Sequence, residues 1–485
     1  MALNSSGKIS LAGSTAGESV ALELGKSATG MISMNDTVVR ALAGISTGVI
    51  QLDDFYGKSS ESFWIACING LTNTPRMADR HNIDVDAAGN LYVSILTSNT
   101  SNASILRYLV KLNPQGQVLF SRVFGNATNP STGNVGTNYV YVDNVNSWYY
   151  LFDSNTLAAT TANTYTRIRK FDLNGNFIST QMDWHKPNNS STTQRTEPTS
   201  VTRMENGNIL VTYGVGRGVN VVYNSDFTSI VWRQGYSSST ESYSGAIIPS
   251  TTSMVNYNGR INKFSYTGAL EKQINPSSGG LAECAVTATS AGVFTIYRGS
   301  SSATPPETDI FIKLNNNLDF VSAVYFQKTT ATRYDTNAVN AAFDSSGNIY
   351  AVGCSNQSPS VAPYFTLYKL DSNLNVIWQR AITISPNPNF FGGTTLALKS
   401  QIRIIGNSLY INTGRFVFKL NTNGSGTGTY SVNGFTVTYS ALSLAAVPIT
   451  YALTTTALWA TPSIATGSIS QTDTNVTLTA SVQNV

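Results

Sequence analysis

One phrase returns along this chain at a period of about 50 residues, the spacing of a four-stranded repeat unit. Asp86-Ala-Ala-Gly-Asn-Leu-Tyr-Val93 is matched by Asp344-Ser-Ser-Gly-Asn-Ile-Tyr-Ala351. The offset between the two stays constant through Lys111-Leu112 and Lys369-Leu370 to Val118-Leu-Phe-Ser-Arg122 and Val376-Ile-Trp-Gln-Arg380. Weaker copies keep the phase: Lys170-Phe-Asp-Leu-Asn-Gly175, Lys263-Phe-Ser-Tyr-Thr-Gly268, Lys313-Leu-Asn-Asn-Asn317 and Lys419-Leu-Asn-Thr-Asn-Gly424, with a degenerate Tyr223-Asn-Ser-Asp226 between Lys170 and Lys263. That makes seven copies.

Each copy is written as four antiparallel strands. A β-prone run meets an Asp-x-x-Gly-Asn turn, in which glycine takes positive φ and the acidic side chain bonds back to the local backbone. A variable polar loop leads to a third strand ending in Lys-Leu, and an Asn-x-x-Gly turn feeds the fourth. Four short strands per unit, repeated, form a β-propeller. The expected fold is therefore all-β, a seven-bladed β-propeller over 61–441, with a small N-terminal module (1–60) and a β-rich C-terminal arm (442–485). Phe63-Trp-Ile-Ala-Cys-Ile68 reads as an outer strand lacking the three that should precede it, and is expected to close the ring against the last copy, since open sheet edges invite aggregation. The rival for that place is Phe435-Thr-Val-Thr-Tyr439.

Charged residues make up only 12% of the 485 residues, about half the roughly 25% of an average soluble protein. The net charge of +4 includes no Lys/Arg run, so no nucleic-acid partner is expected. No apolar run approaches the roughly 18 residues of a membrane span, and the N-terminus lacks the apolar core of a secretory signal. Synthesis in a cytoplasm without membrane insertion is the expectation. Cys67, Cys284 and Cys354 are far apart and read as buried free thiols.

The first sixty residues leave the propeller period and carry a small repeat of their own: Gly7-Lys-Ile-Ser-Leu11, Gly30-Met-Ile-Ser-Met34 and Gly48-Val-Ile-Gln-Leu52. Asn35-Asp36 and Asp53-Asp54 are helix starts, with a short helix over Thr37–Leu42 and a final turn over Asp53–Lys58. So short a segment is expected to have little core of its own and to gain stability from a partner surface. Ile9-Ser-Leu-Ala-Gly-Ser-Thr15, Leu22-Glu-Leu-Gly-Lys26, Met31-Ile-Ser-Met-Asn-Asp36, Val39-Arg-Ala-Leu-Ala-Gly44 and Asp54-Phe-Tyr-Gly-Lys-Ser59 together resemble the N-terminal module of tailed-bacteriophage virion proteins, where it precedes varied C-terminal parts. The resemblance covers about the first 60 residues, and implies attachment to other virion proteins through them, in a closed homo-oligomer on the particle. Asp54, Phe55, Tyr56 and Arg40 are the candidate docking residues.

Nothing in the chain spells out catalysis. His81 and His185 lack metal-ligand spacing, and no hydrolase, zinc-protease or phosphate-loop motif is present. Asp84-Val-Asp86-Ala-Ala-Gly-Asn90 suggests a calcium loop but lacks the later bidentate Glu, so it reads as a hairpin turn. No cofactor and no metal are expected. The Lys of each Lys-Leu pair reads as structural, its stem packed and its amine at the rim. Trp148, in Asn144–Tyr150, reads as a turn entering a core strand.

Binding fits better, because propeller loops vary freely. The longest polar loop, Gln181 through Arg195, carries Asp183, Trp184, His185 and Arg195, and an exposed Trp beside polar groups suits host-surface carbohydrate. The expected function is that of a virion appendage, a tail, baseplate or neck fibre, that displays a propeller for attachment. The alternatives are a purely architectural or capsid-decoration protein and, third, a polysaccharide-degrading enzyme with a carboxylate pair at the channel. The uncharged tail, with only Asp473 charged after Lys419, is expected to lie on its own propeller or to add strands to a neighbour.

Overall fold

The computed structural model describes residues 3–55 (except 5, 16, 17, 25, 26, 30, 44, 46 and 47), 63–71, 74–75, 82–98, 105–124, 138–156, 164–186, 197–214, 219–235, 244–257, 260–276, 281–299, 309–327, 335–356, 364–386, 401–449, 453–455, 465–466, 473–475 and 479–484. Seven antiparallel sheets form seven blades of a β-propeller. The innermost strands, one per blade, are Ile83–Val85, Asn138–Asp143, Glu197–Arg203, Ser244–Ile247, Leu281–Thr289, Asp335–Phe343 and Gln401–Ile405. Each packs beside its neighbours around the axis. The outermost blade strands of blades 1 to 6 are Val118–Phe124, Phe177–Lys186, Ile230–Gly235, Leu270–Pro276, Phe320–Gln327 and Val376–Ser385.

Blade 7 closes the ring with Trp64–Asn69, which pairs antiparallel with Phe416–Asn421 in the register Trp64↔Lys419. Phe435–Ala441, the rival segment, instead joins blade 6 outside Val376–Ser385 and carries Gly428–Val432 beyond it.

The C-terminal arm lies on its own propeller and runs backwards around it. After Phe435–Ala441 on blade 6, Ala445–Pro448 pairs with the outer strand of blade 5 and Leu453–Thr455 with that of blade 4. Ala465–Thr466 then pairs with blade 2 and Asp473–Asn475 with blade 1. Finally Thr479–Asn484 lies along Trp64–Asn69 in blade 7. Residues 456–464, which separate the blade 4 and blade 2 contacts, are outside the described residues. This belt gives backbone partners to strand edges that would otherwise stay open. A segment of Ala, Ser, Thr and Val with almost no charge suits that position. The ring-closing strand is therefore held from both sides by distant parts of the chain.

The Asp-x-x-Gly-Asn phrase is the turn that the sequence suggests. Asp86 Oδ1 accepts from the Ala88 and Asn90 amides at 3.0 and 2.9 Å, and Asp344 Oδ1 accepts from Ser346 and Asn348 at 3.0 Å each. Two lysines of the Lys-Leu pairs differ from expectation. The amine is turned inward rather than held at the rim: Lys111 Nζ donates to Leu173 O of blade 2 at 2.6 Å, and Lys369 Nζ to Thr422 O of blade 7 at 3.1 Å. Each also faces the turn aspartate of its own blade, Asp86 at 3.4 Å and Asp344 at 3.9 Å. A carbonyl and a carboxylate satisfy a desolvated ammonium better than the rim would. In these two copies, the most alike of the repeat, the lysine makes an inter-blade bond.

A second rule joins neighbouring blades. On the outer strand, the residue facing the next blade's Asn/Asp-x-x-Gly turn is aromatic in four blades, and the facing turn then carries glycine: Trp64 with Gly116, Phe120 with Gly175, Trp232 with Gly268 and Trp378 with Gly424. The three indoles donate into those turns, Trp64 Nε1 to Pro114 O (2.8 Å), Trp232 Nε1 to Tyr266 O (2.7 Å) and Trp378 Nε1 to Thr422 O (3.0 Å). In the other three blades the outer-strand residue is Ser179, Lys272 or Ser322. There the glycine position of the next turn holds Phe227, Leu318 or Leu374, each at positive φ (62°, 60° and 68°) and buried against the preceding blade. Large meets small at six of the seven junctions; at the blade 4–5 junction Lys272 and Leu318 are both large, and the lysine reaches on to Asp319 Oδ1 at 2.6 Å.

Both types of junction resist substitution, for opposite reasons. Gly268→Ala places a methyl 2.9 Å from the Trp232 ring at φ +88°, and is expected to cost about 1–2 kcal/mol for the left-handed backbone alone. Leu374→Gly relieves that same strain but removes a side chain 5% exposed in the blade 5–6 core, worth about 2–5 kcal/mol. Urea denaturation of the two variants should show both destabilised, with Leu374→Gly no better than wild type despite its freer backbone.

The N-terminal module has a core of its own, larger than the little that so short a segment was expected to have. Leu3, Ile9, Val20, Val39, Leu42, Ala43, Ile50 and Phe55 form one buried cluster drawn from residues 3–55 alone. The helix Thr37–Ala43 forms as expected, and Leu52–Phe55 is a 3-10 turn.

Candidate functional site

The seven innermost strands enclose a central cavity of about 390 Å³. Its wall divides into two arcs. Blades 7, 1, 2 and 3 contribute Arg403, Asp84, Tyr139, Tyr141 and Arg203, whereas blades 4, 5 and 6 contribute short residues around Ala246, Ala285, Ala288 and Ala341.

The charged arc is internally balanced. Arg403 Nε lies 3.6 Å from Asp84 Oδ1, and its Nη2 donates to the Tyr139 hydroxyl at 3.4 Å. Arg203 Nη1 lies 3.1 Å from Asp143 Oδ2, and Arg203 also acts on the Tyr141 hydroxyl. Asp84 does more than pair. Its Oδ2 accepts from the Val142 amide of blade 2 at 2.8 Å, one pleat beyond Asn82, whose Oδ1 accepts from Val140 at 2.7 Å. Burial pushes the Asp84 carboxyl above its ordinary range, against Arg403 and the Val142 and Val85 amides. Burial, with Asp143 and Asp84 nearby, pushes Tyr141 up to about 12, so it remains a neutral hydroxyl. Among the described residues no group of His, Cys, Asp and Glu is placed to hold a metal ion.

Of the residues expected to contact a receptor, Asp183, Trp184 and His185 lie in the strand Phe177–Lys186, not in a loop. The belt pairs there, His185↔Thr466 and Lys186↔Ala465. The polar loop can therefore begin no earlier than residue 187, and Arg195, like His81, lies outside the described residues. Trp148 enters a strand as expected and lies under Lys170, 3.4 Å from the ring centroid.

The module's candidate docking residues are used internally. Phe55 is fully buried in the module core. Arg40 fastens its own loops, Nη2 donating to Gly48 O at 2.7 Å and Nη1 to Asn35 Oδ1 at 3.3 Å. Asp54 Oδ2 accepts from the Gln51 amide at 2.7 Å. Tyr56 lies outside the described residues. The most exposed apolar side chains of the module are instead Met31 (97% exposed) and Val49 (82%), with Leu52 less so. The module's own repeat held the signal: in each Gly-x-Ile copy the isoleucine packs against the core and x faces outward, as Lys8, Met31 and Val49 do.

Cys67 is a free, buried thiol whose pKa burial pushes up. No helix among the described residues is long and apolar enough to cross a membrane.

The turn aspartates set an acid limit. Burial alone would raise Asp344 and Asp371, but hydrogen bonds from Asn348, Tyr350 and Ser346, and from Asn375 and Asn373, outweigh it and hold both carboxyls below the usual range. A depressed folded pKa contributes stability above the unfolded value of about 3.9 and loses it as pH falls through the folded one. Thermal midpoints should therefore drop below about pH 4. Asp371→Asn should weaken that dependence and change little at pH 7, because Asn113 fills the same turn position in blade 1, accepting from Gln115 and Gln117 at 3.0 and 2.9 Å.

No known protein family matches this sequence, and no curated protein does. Among solved structures it is similar to BamB from Moraxella catarrhalis at 13% identity, over 70% of this chain and 84% of that one, with a TM-score of 0.37. It is similar to the WD40 domain of Toxoplasma gondii coronin at 9% identity, over 78% and 87%, with a TM-score of 0.40. These likenesses are too distant to carry an argument about function.

Proposed function

We propose that this chain is a bacteriophage virion structural protein, an appendage that docks through residues 1–60 and displays the propeller for attachment without covalent chemistry. The observation that carries the reading is the module's separate core, which among the described residues is drawn from 3–55 alone. A unit that packs by itself can serve as a plug in front of an unrelated payload, as the resemblance to virion N-terminal modules implies. Met31 and Val49 supply the apolar contact that docking needs, since side chains so exposed stabilise nothing within the chain. Copies on a symmetric particle would form a closed ring or small oligomer.

Electron cryomicroscopy of particles assembled with full-length protein, with protein lacking residues 1–60, and with Met31→Asp/Val49→Asp tests this. The expected result is density at a symmetric position for the full chain alone. Assembly of the truncated propeller would overturn the docking role of the module.

A further inference from the structure

We propose that the central cavity is a binding site for a neutral saccharide, held with its hydroxyls toward blades 7, 1, 2 and 3 and its C–H face toward blades 4, 5 and 6. This rests on the reading of the propeller as a binding payload, and not on the identity of the particle.

The ionised side chains on the described wall are Asp84, Arg203 and Arg403. Each already has a counter-charge: Arg403 faces Asp84, and Arg203 faces Asp143, which is fully buried on its side-chain surface. An anionic or cationic ligand would have to break one of these pairs and leave a desolvated partner behind, a cost of several kcal/mol. An uncharged ligand would not.

The shape of the wall narrows the class. The polar arc offers two guanidinium planes, a carboxylate and the Tyr139 and Tyr141 phenols, groups that donate and accept in fixed directions. The facing arc carries no charge: Ala246, Ile247, Ala285, Val286, Ala288 and Ala341 leave it mainly aliphatic, with Thr287 and Asn340 as its polar side chains. A pyranose has this division, an equatorial rim of hydroxyls around an apolar C–H face. The volume of about 390 Å³ falls at the small end of ligand sites, roughly 300–1,000 Å³, and suits one or two sugar rings. The arcs are contiguous, four neighbouring blades and then three, so the division is a property of the ring and not of scattered positions. The outer strand bearing Trp184 is instead paired along its end by the belt.

Saturation-transfer NMR on the full chain would test the assignment, with glucose, galactose, N-acetylglucosamine and their disaccharides as neutral probes and glucuronate and glucosamine as charged ones. At least one neutral sugar should show transfer, and the charged analogues weaker transfer. Ala288→Trp, which fills the cavity from the short arc, should weaken binding at least tenfold, while Leu119→Ala on the outer wall should leave it unchanged. Thr202→Val, which removes one cavity hydroxyl at constant volume, should also weaken binding and serves if Ala288→Trp does not fold. Absence of transfer from every neutral probe, preference for glucuronate, or binding indifferent to the cavity variants would overturn the proposal. None of these outcomes touches docking by residues 1–60, and failure of docking would leave the sugar result standing.

Discussion

Trp64→Ala is expected to be the most damaging single substitution in the propeller, lowering stability by roughly 3–5 kcal/mol, the range for emptying a buried Trp site. The indole is fully buried among residues of blades 7 and 1 and donates to Pro114 O. Its loss opens a cavity at the one blade junction where the chain must close on itself. Trp64→Phe separates the two contributions. It keeps most of the packing against Gly116 and gives up a single hydrogen bond, worth about 0.5–1.5 kcal/mol net. Chemical denaturation of both should therefore show a large loss for alanine and a small one for phenylalanine. Comparable losses for the two would mean that the indole N–H, and not the ring, holds the junction.

Deleting residues 442–485 is expected to leave the seven blades formed but to lower the unfolding midpoint and drive self-association. The described belt strands give partners to the outer edges of blades 1, 2, 4, 5 and 7 within this segment. Each ladder bond is worth only about 0.5–1.5 kcal/mol net, and ordering the backbone costs about 1–2 kcal/mol per residue, so hydrogen bonding by itself comes close to balance. Side-chain burial and edge protection decide the sign. Ala480 and Val482 pack against the Trp64 cluster, and bare outer strands become templates for other chains. Light scattering during a thermal ramp should show the truncated protein aggregating earlier than the full chain. A truncated protein that stays monomeric with an unchanged midpoint would show that the belt contributes nothing to the ring.

Much of this was legible in the sequence, because the repeat writes its own register. Asp86 and Asp344 mark equivalent turns, Lys111 and Lys369 equivalent third strands, and Phe63–Ile68 matched the outer strand that begins at Val376. What the repeat could not show was where long-range partners lie. The Lys111 amine was expected at the rim because one blade viewed alone offers it only water; the Leu173 carbonyl belongs to the next blade. The belt was hidden for a related reason. A tail strand pairs through its backbone, so Ala445–Pro448 and Leu453–Thr455 need only be free of charge and compatible with extension, and their sequence names no partner. Trp184 looked like a loop residue because Met182-Asp-Trp-His-Lys186 is polar, yet an outer strand with one solvent side tolerates polar text. The two arcs of the cavity escaped notice because each blade gives only part of one innermost strand to it, and only ring closure brings Arg403 next to Asp84.

The most direct test of the architecture is hydrogen exchange of the full chain followed by mass spectrometry. If Trp64–Asn69 is clamped between Phe416–Asn421 and Thr479–Asn484, the amides of 64–69 and 479–484 should be protected together, opening at the same rate as the propeller core. Exchange of 479–484 within seconds, with 64–69 still protected, would contradict a belt that returns to lock the strand on which the ring closes.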